Sequence, residues 1–201
     1  MAFLGISALL TALPEPFSFG PYWLVPALVA VLLAPAVVTH RAGKHSLNQA
    51  IGYTILTVVT ASMIFSLAMM VTRMARHADP PAVLLRSAAV LWGTNILVFA
   101  SWYWRLDAGG PHRRALKEAH TYGAFLFPQM TMSASARKAA GEADWRPGFV
   151  DYLFLAFNTS TAFSPTDVPV LSRWGKSMMM VQSLISLSTL ALLAARAVNI
   201  L

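Results

Sequence analysis

Four apolar runs, at about 21–39, 50–72, 82–104 and 177–198, dominate this sequence of 201 residues, and the only charges inside them are Arg86 and Arg196. Each run is close to the roughly 20 residues that an α-helix needs to cross a bilayer. Within hydrocarbon every backbone N–H and C=O must be satisfied internally, which leaves helices or closed barrels. Charged residues make up 11% of the chain, well below the roughly 25% of soluble domains. The expectation is an all-α membrane protein forming one transmembrane domain over residues 1–201.

The flanks support these spans. Tyr22 and Trp23 open the first run, and Trp102, Tyr103 and Trp104 close the third, as rings do at membrane interfaces. Pro26 and Pro35 are expected to kink the first span. Thr54, Thr57, Thr60, Ser62 and Ser66 give the second small hydroxyl groups that permit close helix approach. Asn95 is expected deep in the third, bonded to another helix. The first twenty residues lack the basic n-region of a cleaved signal peptide. They are expected to be retained as a short interfacial helix ending at Pro14, Glu15 and Pro16.

The formal charge is +7. In a membrane chain such charge reads as loops beside anionic lipid, so the bilayer, and not nucleic acid, is the expected partner. Eleven of the Lys and Arg residues fall on the side shared by the 40–49, 105–148 and 149–176 segments, and four (Arg73, Arg76, Arg86, Arg196) on the other. The positive-inside rule then puts both termini outside and the long loop on the cytoplasmic side of a cell (inner) membrane.

Catalysis and resident metals are not expected. There are no cysteines, which excludes disulfides and thiolate metal sites. His40, His45, His77, His112 and His120 fall in predicted loops without ligand spacing, and no nucleophile elbow or phosphate-binding loop is present. Met178, Met179 and Met180 read as packing. Asp107 and Glu118 are expected to pair with Arg105 and Arg114.

Between the third and fourth spans the chain breaks at Gly109, Gly110 and Pro111. A short basic helix is predicted over 112–120, an apolar segment with Pro128 inside over 122–132, and a polar loop over 133–147. The segment 149–170 then carries the functional expectation. Tyr152 to Phe157 is apolar but too short to span, and Asn158 to Pro169 is rich in hydroxyls and broken by proline. A short helix, a polar non-helical stretch and a spanning helix outline a re-entrant pore loop, tolerated at membrane depth only where protein buries it or a cavity hydrates it. Thr159, Ser160, Thr161, Ser164 and Thr166 supply oxygen ligands suited to a monovalent or divalent cation, and Asp167 adds charge at the mouth. The same residues also fit a turn in which hydroxyls cap helix ends and Asp167 pairs with Arg173.

Asp167 followed by Trp174, Gly175 and Lys176 resembles the filter end and inner-helix turn of potassium channels. That register places Ala162, Phe163, Ser164, Pro165 and Thr166 at the filter positions. The glycines that let successive carbonyls face an axis are missing, so a degenerate, non-potassium filter is implied. The stretch from Asp151 onward, about the last quarter of the chain, is also similar to a family of bacterial integral membrane proteins of unknown function. The shared positions are Asp151, Tyr152, Phe157, Thr161, Thr166, Asp167, Val168, Ser172, Arg173, Ala197, Val198 and Asn199. That resemblance implies a membrane fold and no particular activity.

In the last span Gln182, Ser186, Thr189, Leu193 and Arg196 share one helical face. They read either as a pore lining with Leu193 as a hydrophobic constriction, or as helix-to-helix glue with Arg196 reaching for the interface. The functional expectation is an ion channel, or a channel-like protein, built as a homo-oligomer, with a tetramer favoured. The alternative is a non-conducting scaffold or accessory subunit.

Overall fold

Hydropathy marks the hydrocarbon, but a helix continues until its backbone is stopped. In the computed structural model the four apolar runs are therefore the centres of longer helices. The structure describes residues 2–18, 20–76, 79–116, 123–162 and 168–197, excepting the side chains of 75, 196 and 197. The described helices are α1 (Ala2–Thr11), α2 (Leu24–Arg41), α3 (His45–Ala75), α4 (Pro81–Leu106), α5 (Pro111–Ala115), α6 (Pro128–Thr131), α7 (Ala134–Ala139), α8 (Phe149–Ala162) and α9 (Arg173–Ala197). Four of them, α2, α3, α4 and α9, are long and apolar enough to cross a membrane.

The boundaries have local causes. Gly43, at φ 68°, turns the chain between α2 and α3, and nothing in 45–49 or 73–75 breaks a helix. The 31 residues of α3 therefore extend about 46 Å, beyond the roughly 30 Å of hydrocarbon. Pro81 opens α4, where its missing N–H costs nothing. Three successive residues with positive φ end it: Ala108 at 48°, Gly109 at 82° and Gly110 at 93°. His40 and His45, expected in loops, lie on helices α2 and α3, and of the short helix expected over 112–120 the described part is α5, Pro111–Ala115. Each of these two histidines sits in a terminal turn, where helix hydrogen bonding outlasts the apolar run.

The chain divides into two compact units, Met1–Val98 with Ile185–Leu201, and Phe99–Leu184. In the first, α3 buries Ile55, Leu56, Val59, Met63, Ser66 and Met70 along one face, and α4 buries Leu84, Ser87, Ala88, Leu91, Thr94 and Asn95. The hydroxyls of Ser66, Ser87 and Thr94 donate to the carbonyl four residues earlier, which satisfies them without a partner helix. Of the two prolines in α2 only Pro35 is interior; Pro26 falls in the first turn. Asn48 Nδ2 donates to Ala36 O at 2.6 Å and so ties α3 to α2.

Helix α1 buries Ile6 and Leu10. Gly5 lies close to Leu97, and Gly93 close to Leu9. These small residues let the short N-terminal helix α1 dock on α4. Phe17 is fully buried, and the guanidinium of Arg73 stands 5.9 Å above its ring while forming a two-pronged bridge to Asp79 at 2.7 and 2.9 Å.

The second unit has an aromatic core around Phe125. Its ring meets Tyr103 at 5.1 Å, Trp174 at 5.8 Å and Tyr152 at 6.2 Å, while Phe127 contacts Tyr152 and Trp145. Thus the apolar part of 122–132 is docked in the protein. Phe125 faces Val170 in an antiparallel bridge, with Leu126 N–H donating to Pro169 O and Leu171 N–H to Ala124 O.

Candidate functional site

Helix α8 starts after Pro147 and Gly148. The Asp151 carboxylate accepts the Gly148 N–H at 2.7 Å, and its charge suits the helix N-terminus. Tyr152, Leu155, Ala156, Thr159 and Ser160 are buried, spaced as one helical stripe. Val150, Phe154, Phe157 and Thr161 are exposed.

The first polar tie on the buried stripe involves a carboxylate. Tyr152 OH donates to Asp107 Oδ2 at 2.6 Å, and the Ala124 N–H donates to Asp107 Oδ1. Gly123 is packed against this carboxylate: a Cβ there would stand 2.6 Å from Oδ1 and 2.8 Å from Oδ2. Arg114 Nη1 donates to Trp104 O at 2.8 Å and Asp107 O at 2.7 Å. It thereby serves carbonyls that the end of α4 leaves without helical partners. The guanidinium lies 5.1 Å from the Tyr152 ring centre. Burial pulls the Arg114 pKa down, and the neighbouring Tyr152 and Asp107 push it back up. The two hydrogen bonds from Arg114 Nη1 thus go to main-chain oxygens. Glu118 lies outside the described residues.

The second tie centres on Gln182, which is fully buried. Its Nε2 donates to Ala156 O at 2.7 Å and to Ser160 Oγ at 2.8 Å, and its Oε1 accepts from Tyr103 OH at 2.6 Å. One amide thus joins α9 to both α8 and the end of α4. With the Phe125–Val170 bridge, the unit holds the chain on both sides of 163–167.

The residues singled out by sequence separate under this geometry. The helix continues through Asn158 to Ala162, where a non-helical stretch was expected. Thr159 Oγ1 donates to Leu155 O at 2.8 Å, and Thr161 Oγ1 to Phe157 O at 3.0 Å; hydroxyls that bond the preceding turn let a helix run on through Thr and Ser. Thr159 and Ser160 are buried, while Thr161 and Ala162 are exposed at the helix end. Phe163, Ser164, Pro165, Thr166 and Asp167 lie outside the described residues. On α9, Gln182, Ser186 and Thr189 are fully buried, Leu193 is half-buried, and Arg196 belongs to the last turn.

Sequence reasoning missed the roles of Tyr103 and Tyr152. Tyr103 reads as an interface ring because it sits between two tryptophans, yet it is fully buried. A polar residue just past a span and just before Gly-Gly-Pro was the available sign for Asp107. Among the described residues no three His, Asp or Glu side chains gather as a metal site.

No protein-family model, curated protein or solved structure matches this chain.

Proposed function

We propose that this chain is a pore-loop, channel-like membrane protein. In this reading α8 enters the bilayer as a half-helix and the chain returns through 163–171 to α9. Copies of the chain, four in the favoured arrangement, surround an axis on which residues 161–167 meet a monovalent or divalent cation, Thr159 and Ser160 being buried within the subunit. The observation that carries the proposal is the character of α8. Its 14 residues extend about 21 Å, short of the roughly 30 Å of hydrocarbon. Yet its outer face is apolar and open, with Val150 74%, Phe154 55% and Phe157 45% exposed. A helix that is apolar on its open side as well as its buried one belongs in a nonpolar surrounding, and one too short to cross must turn back.

The supporting chemistry is consistent with that path. The backbone at 169–171 is paired with 124–126, as non-helical chain at membrane depth requires. The last carbonyls of α8 bear partial negative charge, and Asp167 adds a formal one, a combination that attracts cations. A single loop cannot enclose a pore, so conduction needs several subunits. The open side of α9, Met180, Leu184 and Leu187, is then the side available to form a hydrophobic constriction. The Lys and Arg distribution supports an orientation with the loop on the cytoplasmic side, and the resemblance to bacterial membrane proteins makes the bacterial inner membrane the proposed location.

A second reading, a non-conducting scaffold or accessory subunit, is favoured by one specific observation. The polar stripe of Gln182, Ser186 and Thr189 is buried within the subunit, and Gln182 is fully engaged there. Cation flux into liposomes separates the two, measured for wild type, Asp167→Asn and Ser164→Ala alongside subunit mass in nanodiscs. A channel gives flux above protein-free vesicles that Asp167→Asn reduces, in an oligomer. A monomer, or flux equal to empty vesicles, leaves the scaffold.

A further inference from the structure

At the end of α4 the chain leaves the apolar run through Trp102, Tyr103 and Trp104 and passes directly into a cluster of arginines. Arg105 lies over the Trp104 ring at 5.8 Å. Arg114 is buried beneath the turn, with Nη1 on two carbonyls and Nη2 without a hydrogen-bond partner among the described residues. Arg113 is exposed, but its stem lies flat on Gly109, where an added Cβ would come within 2.6 Å of Arg113 Cδ. Arg146, also exposed, is brought to the same corner from the distant 141–148 loop by a 3.1 Å hydrogen bond from Nη1 to Ala115 O. Beside them Leu116 is 73% exposed.

Four guanidinium groups, of Arg105, Arg113, Arg114 and Arg146, gather at this corner. Asp107, in the buried layer, accepts from Tyr152 and Ala124 and faces Arg114. Among the described residues neither Arg113 nor Arg146 forms an ion pair. Guanidinium forks are well matched to phosphate oxygens. Here two of them are pre-positioned, one by a glycine shelf and one by a carbonyl, beside the half-buried Trp102 and Trp104, rings of the kind that favour headgroup depth.

We propose that the α4–α5 corner binds the phosphodiester of an anionic phospholipid, with Arg113 and Arg146 as its direct ligands. Arg105 and the buried Arg114 supply additional positive field, and Leu116 lies alongside the acyl chains. Basic residues at a membrane surface are worth about 1 kcal/mol each, or roughly fivefold in affinity per arginine and about 25-fold for the pair.

The test uses the full-length protein in a zwitterionic detergent at low salt. Binding and thermal shift are read with phosphatidylglycerol, phosphatidylcholine and inorganic phosphate. The proteins compared are wild type, the Arg113→Gln/Arg146→Gln double variant, and an Arg137→Gln/Lys138→Gln control that removes the same charge from α7. The expected result is retention and stabilisation by phosphatidylglycerol alone. That effect should fall about 25-fold in the Arg113/Arg146 variant and persist in the α7 control. Equal effects of phosphatidylglycerol and phosphatidylcholine overturn the proposal, as does equal loss in both variants. Stabilisation by inorganic phosphate to the same extent also overturns it, since the site then recognises a soluble anion.

Discussion

The phenol of Tyr152 donates a 2.6 Å hydrogen bond to Asp107 Oδ2, joining the start of α8 to the end of α4 across 45 residues of sequence. Both residues are fully buried. A carboxylate held away from water depends on each donor that faces it, because a lost donor leaves the desolvation cost unopposed. The position of α8 thus rests on polar groups that carry no apolar signature.

Tyr152→Phe is expected to destabilise the protein by about 1.5–3 kcal/mol, the range for a hydrogen bond to a charged group. Asp107→Asn should be milder, since the phenol can rotate to accept from the new amide. Thermal unfolding in detergent measures both. An unchanged midpoint for Tyr152→Phe means that the bond contributes nothing.

Gly123→Ala attacks the same carboxylate from its other side. The added methyl would sit 2.6 Å from Asp107 Oδ1, inside van der Waals contact with an oxygen that the Ala124 N–H also engages. Overpacking of this kind costs about 1–3 kcal/mol. Combining it with Tyr152→Phe should cost less than the sum of the two, because both act on one group. Strict additivity in a double-mutant cycle would place the two effects at separate sites.

Gln182→Leu removes three hydrogen bonds while keeping the side chain about the same size. The loss expected is about 2–4 kcal/mol, from roughly 1 kcal/mol per bond and the stranded Tyr103 hydroxyl. In the same variant Tyr103→Phe should become nearly neutral. If instead Gln182→Leu folds with wild-type stability and alters only ion flux, the residue lines a pore and does not hold α8.

The limits of sequence legibility follow from these ties. The four spans were readable because length and apolarity are local properties, though helices α3 and α4 run past the hydrocarbon wherever no Gly or Pro stops them. The shared face of Gln182, Ser186 and Thr189 was readable from spacing; that it turns inward was not, since periodicity carries no direction. The helical state of Asn158 to Ala162 was hidden because Thr and Ser favour both helix ends and back-bonded helix turns. Asp107 and Tyr152 lie 45 residues apart, and no pattern within either segment announces the other. Of the filter candidates, Phe163 to Asp167 fall outside the described residues, and the loop reading there rests on sequence alone.

Stability should depend on acidity through Asp79. The hydrogen bond from Arg73 holds its carboxyl below the usual carboxylate range. A carboxyl whose folded value is depressed stabilises the fold fully above its unfolded value and loses that contribution as pH falls through the folded one. The midpoint difference between wild type and Asp79→Asn should therefore be flat near neutrality and shrink under acid. A difference that grows on acidification would reverse the sign and exclude the pair as its cause.

The depth of α8 can be read directly, because the chain has no cysteine and each introduced thiol reports alone. Cysteines at Phe154 and Phe157 sit on the open apolar face. If that face meets lipid or a neighbouring subunit, a membrane-impermeant maleimide should leave them unlabelled in intact proteoliposomes. A cysteine at Ser135, on the exposed helix α7, should label readily from one side. Detergent solubilisation then divides the protected cases: lipid-facing thiols become reactive when micelles exchange, whereas thiols at a subunit contact stay protected until the oligomer dissociates. Rapid labelling of Phe154→Cys and Phe157→Cys in intact vesicles, matching Ser135→Cys, would put α8 in water. The half-helix reading requires the opposite, since only a nonpolar surrounding makes its exposed Val150, Phe154 and Phe157 favourable.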